Sequence, residues 1–198
     1  SACLVGSEMC IRDRYYIILY MRQTSRYLSM NKREELNKIV KDSIAQSIFQ
    51  LMKRKRFSDI TITEIVKKAG VARASFYRNF AYKEDAVSYY IIETMKLYKN
   101  QFYLSDLRDN YYNLIVGTMD FIFDYKENLE SLFNSGLSQL LLHAINTYLL
   151  ESSIPPVTDK TEKYFLFSYG GSIFNIIYHW ISDGTKESPE EIASIICK

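Results

Sequence analysis

The sequence has little of the chemistry that most enzymes and metalloproteins need. It contains two histidines, His143 and His179, which fall on different predicted helices, and no glycine-rich phosphate-binding loop. The three cysteines, Cys3, Cys10 and Cys197, lack metal-ligand spacing and form no disulfide framework, so a reducing cytoplasm is the expected compartment. We therefore expect no enzymatic activity, no metal and no cofactor.

Proline and glycine are also scarce, with three and seven residues in a chain of 198. Few breaks and no alternation typical of strands favour long helices. The longest early apolar run, Tyr15–Met21, is far shorter than the roughly 20 residues that span a bilayer. The sequence therefore predicts an all-α protein without a membrane span.

Charge is distributed unevenly along the chain. Residues 30–83 hold 13 Lys and Arg against 5 Asp and Glu, whereas residues 84–198 hold 8 against 16. A basic block of net +8 beside an acidic block of net −8 is typical of a polyanion-binding unit joined to a second unit. We therefore predict one domain over residues 30–83 and another over residues 84–198, with random surface charge as the alternative.

Residues 1–29 differ from the rest because they show no sustained periodicity. The string CLVGSEMCIRDR resembles translated sequencing-adapter DNA, and Met30 opens a more natural start. We predict that residues 1–29 are a non-native or disordered extension. The alternative is a genuine but poorly ordered arm.

Residues 61–80 carry the pattern of two short helices joined by a tight turn, after a helix that starts at Lys32. Thr61 and Glu64 have the T-x-x-E spacing of a capping box. Gly70 should end that helix because glycine readily adopts the left-handed conformation. The next helix follows after two residues, and together the elements predict a three-helix helix-turn-helix domain.

The last helix of this domain leaves short, planar or basic side chains for a partner. Such groups suit base edges and phosphates in the major groove of DNA. A helix-turn-helix with only a structural role is the alternative, but the +8 block favours DNA. The side chains are Arg73, Ser75, Tyr77, Arg78 and Asn79.

The stretch ITITEIVKKAGVARASFYRNFAYKEDAV, residues 60–87, resembles the N-terminal signature of TetR/AcrR-family transcriptional regulators. The resemblance implies that the third helix reads the groove and that Thr61, Tyr77 and Lys83 touch the phosphate backbone. Ala72 departs from the family pattern, since a capping Ser is common there, and Asn79 replaces a frequent His. The predicted DNA-binding residues are Thr61, Thr63, Arg73, Ala74, Ser75, Tyr77, Arg78, Asn79 and Lys83.

The remaining chain is predicted to be a helical domain. Its helices cover residues 83–103, 111–125, 128–134, 136–150 and 160–183, followed by a short one capped by Ser188 with Pro189 in its first turn. The helix of residues 160–183 is apolar on two sides and must be covered on both, by its own domain and by a second subunit.

FSYGGSIFNIIYHWISDGTKESPEEIA, residues 167–193, resembles the C-terminal region of one subgroup of the same family. Because the family dimerises through its last two helices, the resemblance implies a homodimer here. The predicted interface residues are Gly170, Gly171, Phe174, Trp180, Ile181 and Ile192.

The C-terminal part is also rich in aromatic side chains, which serve mainly as core. The resemblance implies an effector pocket among these helices, and an apolar wall with a few hydroxyls suits a small apolar or aromatic effector. His143, in LLLHAIN, is interpreted either as a core residue or as a polar group of the pocket. The predicted ligand-binding residues are Phe121, Tyr125, Phe133, His143, Phe167, Asn175 and Tyr178.

Taken together, these patterns predict a transcriptional regulator, expected to be a ligand-responsive repressor that binds double-stranded DNA at a palindromic operator as a homodimer. One alternative is a helical dimerisation or interaction protein that has lost its DNA or effector response, which the missing cap at Ala72 favours. A second alternative is an α-helical enzyme, for which turnover would be the evidence.

Overall fold

The computed structural model describes residues 11–101, 111–153 and 156–197, and all regular structure in these ranges is helical, which confirms the all-α prediction. A 3₁₀ turn at Phe57–Asp59 separates the first two α-helices. The helices are α1 (Ile11–Met52), α2 (Ile62–Ala69), α3 (Arg73–Asn79), α4 (Lys83–Gln101), α5 (Tyr111–Asp124), α6 (Lys126–Asn134), α7 (Ser138–Ser152), α8 (Lys160–Ser182) and α9 (Pro189–Ile196).

The chain divides into two compact units, residues 1–41 and residues 42–198. In the first unit, α1 begins at Ile11, whereas the sequence pattern predicted a start at Lys32. Residues 1–29 show no sustained apolar periodicity, so the sequence pattern gave no signal of this helical segment. The predicted extension of residues 1–29 and the predicted boundary after residue 83 remain predictions.

The second unit begins with the core of the helix-turn-helix domain. The end of α1 contributes two large apolar side chains, and α2, α3 and α4 each contribute one more. Full burial of such a side chain stabilises the fold by about 1.5–3 kcal/mol. The large side chains in this core with no exposed surface are Ile44, Ile48, Ile65, Phe76 and Val87.

The turn between α2 and α3 has the conformation predicted from Gly70. That residue adopts φ 67° and ψ 29°, and the Val71 amide donates to the Val66 carbonyl at 3.0 Å. At the start of α3, Ala72 provides no side-chain cap, which costs about 1 kcal/mol relative to serine. The helix forms nevertheless, because Phe76 and Phe80 are buried beneath it.

The C-terminal helices pack in pairs, with α5 against α9, α7 against both α4 and α8, and α6 against α8. The predicted cap at Ser188 is confirmed, with Pro189 in the first turn and Glu191 completing a capping box. The Trp180 indole donates to the Glu187 carbonyl at 3.0 Å, which joins α8 to the loop before α9. Among the described residues, no helix is both long and apolar enough to cross a membrane.

The capping box at the start of α2 is confirmed and has an additional partner. The Glu64 carboxylate accepts from the Thr61 amide at 2.9 Å and from the Lys55 ammonium at 2.7 and 2.8 Å. The hydrogen bonds from Lys55 and Thr61 lower the pKa of Glu64 from its ordinary 4.5 to about 2. Acid should therefore weaken the start of α2.

We predict that Glu64→Gln removes part of the acid sensitivity of folding. A carboxylate with a lowered pKa stabilises the fold above its unfolded pKa, and this contribution disappears as the pH falls from about 4.5 towards 2. Urea unfolding across this range should show a shallower loss of stability in the variant than in the wild type. Glu130→Gln, which removes an exposed carboxylate from α6, is the matched control. Equal slopes for Glu64→Gln and wild type would contradict the prediction.

Candidate nucleic-acid interface

The exposed surface of α3 brings three of the predicted DNA-binding residues together. The Arg73 guanidinium donates to the Tyr77 hydroxyl at 3.2 Å and to the Thr63 hydroxyl at 3.5 Å. It also lies 5.6 Å from the centre of the Tyr77 ring. Arginine has five N–H donors, so this arrangement orients the guanidinium and leaves further donors for a partner.

The other predicted residues of α3 differ in how far they reach the surface. Ala74 and Arg78 are exposed, whereas Ser75 and Asn79 are half-buried. The Asn79 amide donates to the Ser75 carbonyl at 2.8 Å, within its own helix. The Asn79 side-chain amide nitrogen is therefore occupied by an internal contact, which the sequence pattern did not predict.

Thr61 and Lys83, both expected at the phosphate backbone, have partners inside the protein. The Thr61 hydroxyl donates to the Glu64 carboxylate at 2.7 Å and serves as the cap of α2. The Lys83 ammonium donates to the carbonyls of Phe57, Ser58 and Ile60. These contacts give both residues a structural role within the helix-turn-helix domain.

Basic side chains extend this surface beyond α3. Lys67 and Lys68 are exposed in the last turn of α2, next to the turn at Gly70. Tyr82 follows α3 and is 70% exposed. Sequence reasoning did not single out these three residues, although the charge of the +8 block already included both lysines.

A cavity of about 310 Å³ lies among helices α1 and α4 to α9. No charged residue is part of its wall, and its polar groups are tyrosine, threonine and serine hydroxyls and one asparagine amide. Two polar pairs are hydrogen-bonded within the wall, since Asn128 donates to the Tyr90 hydroxyl at 2.6 Å and the Tyr98 and Thr118 hydroxyls are 2.9 Å apart. Burial raises the pKa of Tyr98, which keeps its hydroxyl neutral.

The predicted ligand-binding residues meet this cavity only in part. Phe121 and Tyr125 line it, whereas Phe133, Phe167 and Tyr178 do not. His143 and Asn175 are exposed and lie outside the wall, so neither interpretation of His143 matches its position.

The wall residues that were not among the predicted ligand-binding residues include Tyr90 and Tyr98 of α4 and Tyr148 of α7. Their apolar neighbours in sequence gave no sign of which face of each helix would turn to the cavity. Only the packing of α4 against α7 brings them together.

The six residues predicted at a dimer interface fall into two groups. Gly170, Trp180 and Ile181 are buried within the chain, whereas Gly171, Phe174 and Ile192 are half-buried. A Cβ atom built on Gly170 would lie 2.5 Å from the Asn146 side-chain oxygen, so the close neighbour of this glycine is α7 of the same chain. A Cβ atom on Gly171 would meet nothing within 4 Å.

Exposed apolar side chains lie on the same two helices as the predicted interface. Tyr164 and Phe165 at the start of α8 are 70% and 68% exposed, and Ile195 of α9 is 62% exposed. Phe174 packs against Phe133 and Tyr178 along the half-buried side of α8.

In the described part of the chain, no group of His, Cys, Asp and Glu side chains could hold a metal ion.

Two protein families match the chain. Residues 44–88 match the bacterial regulatory proteins of the tetR family, and residues 109–198 match a transcriptional regulator C-terminal region. No curated protein matches the sequence.

Two solved structures share the fold at low sequence identity. Lin0861 from Listeria innocua superimposes with a TM-score of 0.64 and 18% identity, over 79% of this chain and 88% of that chain. A TetR transcriptional regulator from Rhodococcus sp. RHA1 superimposes with a TM-score of 0.53 and 16% identity, over 82% of this chain and 93% of that one.

Proposed function

Because the chain belongs to the TetR family of bacterial transcriptional regulators, we propose that it is a repressor that binds a palindromic DNA operator as a homodimer. The observation that carries this proposal is the oriented Arg73 guanidinium, which lies on the exposed surface of α3 within the +8 block. A preoriented, planar cation on a surface helix is suited to a bidentate contact with guanine.

The surrounding charges suit the phosphates on either side of such a base contact. Arg78, Lys67 and Lys68 are exposed, and no carboxylate occurs within α3. Phosphate contacts supply affinity that falls with salt but carry no sequence information, so sequence preference has to come from side chains such as Arg73 and Ser75.

We predict that Arg73→Ala removes sequence preference more than it removes DNA affinity. A bidentate contact with guanine contributes about 1–3 kcal/mol of discrimination, so affinity for a duplex selected by the wild type should fall by about 5- to 150-fold. Affinity for a shuffled duplex should change much less, because only a phosphate-type attraction is lost there. Fluorescence anisotropy with both duplexes measures the two effects.

Lys186→Ala removes an exposed cation that lies after α8 and is the control for net charge. An equal loss of affinity for both duplexes in Arg73→Ala would contradict base reading by Arg73. Failure of the wild type to bind any duplex at low salt would contradict DNA binding altogether.

The dimer is proposed to form through the half-buried side of α8 and the exposed part of α9. Gly171, Phe174 and Ile195 lie on these two helices and offer apolar surface with room for a second subunit. A two-fold axis through this face would relate two copies of α3, as a palindromic operator requires. Gly170, Trp180 and Ile181 support this face from inside the chain.

Gly171→Asp is predicted to split the dimer without unfolding the subunit. The substituted side chain meets open space within the chain, whereas a two-fold interface would bury two carboxylates close together. Sedimentation equilibrium should show a mass that falls to the 23.3 kDa of one chain, with unchanged helical circular dichroism. Gln139→Asp adds the same charge at an exposed position of α7 and should leave the dimer intact. A Gly171→Asp variant that remains dimeric would place the interface elsewhere.

The cavity is proposed to hold an uncharged effector that is mostly hydrocarbon. A charged ligand would lose its hydration without meeting a countercharge, because the wall contains no Asp, Glu, Lys, Arg or His. The cavity has a volume of about 310 Å³. An engineered protein cavity of about 150 Å³ binds benzene, so a cavity of roughly twice that volume has room for about ten to twelve carbon atoms.

We predict that primary alcohols bind with affinity that rises about fourfold per added methylene, since each buried methylene contributes about 0.8 kcal/mol. The rise should end near ten to twelve carbons, where the cavity is full. Decanoate and decyltrimethylammonium should bind more weakly than 1-decanol. Calorimetry with and without operator DNA should show that bound alcohol and bound DNA weaken each other by the same factor, typically 5- to 150-fold.

Met95→Trp and Leu97→Trp form a matched pair on α4. Met95 lines the cavity, whereas Leu97 is exposed and lies outside the wall. Only Met95→Trp should therefore abolish alcohol binding. Tighter binding of either ionic probe would contradict the assigned ligand class, and equal alcohol affinity with and without DNA would contradict effector control.

A further inference from the structure

Lys83 begins α4 and places its ammonium against the turn that leads from α1 into α2. The ammonium donates to the carbonyls of Phe57 at 2.5 Å, Ser58 at 3.3 Å and Ile60 at 3.1 Å. It also lies 4.3 Å from the centre of the Phe57 ring, which is buried. An ammonium has three donors, and these three carbonyls use all of them.

This set of contacts, which we call the Lys83 clasp, closes a segment of the chain on itself. The 3₁₀ turn at Phe57–Asp59 precedes α2, and Lys83 begins α4 after residues 80–82, which follow α3. The clasp therefore joins the entrance of the helix-turn-helix to its exit, with both of its helices between the two points. The carbonyl end of a short helical turn also carries partial negative charge, which a cation stabilises.

The two helices inside the clasp are also held by side chains buried in the core, Ile65 of α2 and Phe76 of α3. The start of α2 is held by the Thr61 cap and by Lys55 on Glu64. By contrast, α3 has only seven residues and no side-chain cap. A helix that short is not stable by itself in water, so its direction depends on the buried Phe76 side chain and on what holds its two ends.

We propose that Lys83 is a positioning residue for DNA binding and not a ligand of the phosphate backbone. A phosphate could take the ammonium only by displacing one of the three carbonyls that it already binds. Loss of the ammonium would free the turn and the start of α4 from each other, and α2 and α3 would then meet DNA in a broader range of orientations. The inference rests on DNA binding through the helix-turn-helix.

Lys83→Met tests this role because it keeps an unbranched apolar side chain over Phe57 and removes the ammonium. Hydrogen bonds to charged groups are strong enough that we expect about tenfold weaker DNA binding by the folded variant. The melting temperature should fall by about 3 to 12 °C. The slope of log affinity against log salt should stay at the wild-type value, because no phosphate contact is lost.

Arg78→Met is the matched comparison, since it removes an exposed cation from α3 that has no role in the clasp. Loss of a cation that neutralises a phosphate lowers the steepness of the salt dependence by about 0.9 per contact. Arg78→Met should therefore show this change with little loss of melting temperature, which is the opposite pattern to Lys83→Met.

Two results for Lys83→Met would overturn the inference. A salt dependence less steep by about 0.9 per subunit, with an unchanged melting temperature, would identify Lys83 as a phosphate ligand. Unchanged affinity with a lower melting temperature would mean that the clasp serves folding alone.

If Lys83→Met does not fold, Lys83→Gln, whose amide retains donors for the carbonyls, is measured in the same way. Absence of DNA binding by the wild type would refute the proposed function, and the inference with it. A normal wild-type titration combined with either overturning result refutes the role of Lys83 alone.

Discussion

Burial of Phe76 is the constraint on which the DNA-facing surface depends. A seven-residue helix without a cap gains too little from its own hydrogen bonds to form in water. The Phe76 side chain has no exposed surface, and its burial against the rest of the helix-turn-helix core provides the missing free energy. Every exposed side chain of α3, including that of Arg73, is oriented relative to this one ring.

The long helix α4 links the helix-turn-helix to the helices that follow it. The first residue of α4, Lys83, binds the turn before α2. Fifteen residues later in the same helix, the Tyr98 hydroxyl lies 2.9 Å from the Thr118 hydroxyl of α5. At about 1.5 Å per residue, these two attachments are roughly 22 Å apart along the helix axis. One continuous helix thus contacts both the helix-turn-helix and the wall of the cavity. A small tilt at one end of a stiff helix necessarily displaces the other end.

Local patterns in the sequence were enough to predict the helix-turn-helix. Thr61 with Glu64 and the left-handed Gly70 are features of four to six residues, and each was confirmed where it was predicted. The positions of Lys83 and of Tyr90 were not predictable in this way. Lys83 reaches carbonyls 23 to 26 residues earlier, and Tyr90 meets Asn128 from another helix, so both depend on tertiary packing. Gly170 illustrates the same limit, since it was predicted at an interface with a second subunit and its close neighbour is Asn146 of the same chain.

The contact between Gly170 and Asn146 restricts how this protein can evolve. A methyl group at position 170 would approach the Asn146 oxygen to 2.5 Å and a Leu149 methyl to 3.1 Å, so even alanine requires Asn146 to turn aside. The Asn146 oxygen is buried without a hydrogen-bond partner, and a smaller apolar residue at position 146 would remove both the crowding and the unpaired oxygen. Among descendants of this sequence, replacement of Asn146 should therefore precede replacement of Gly170, and the two positions should vary together.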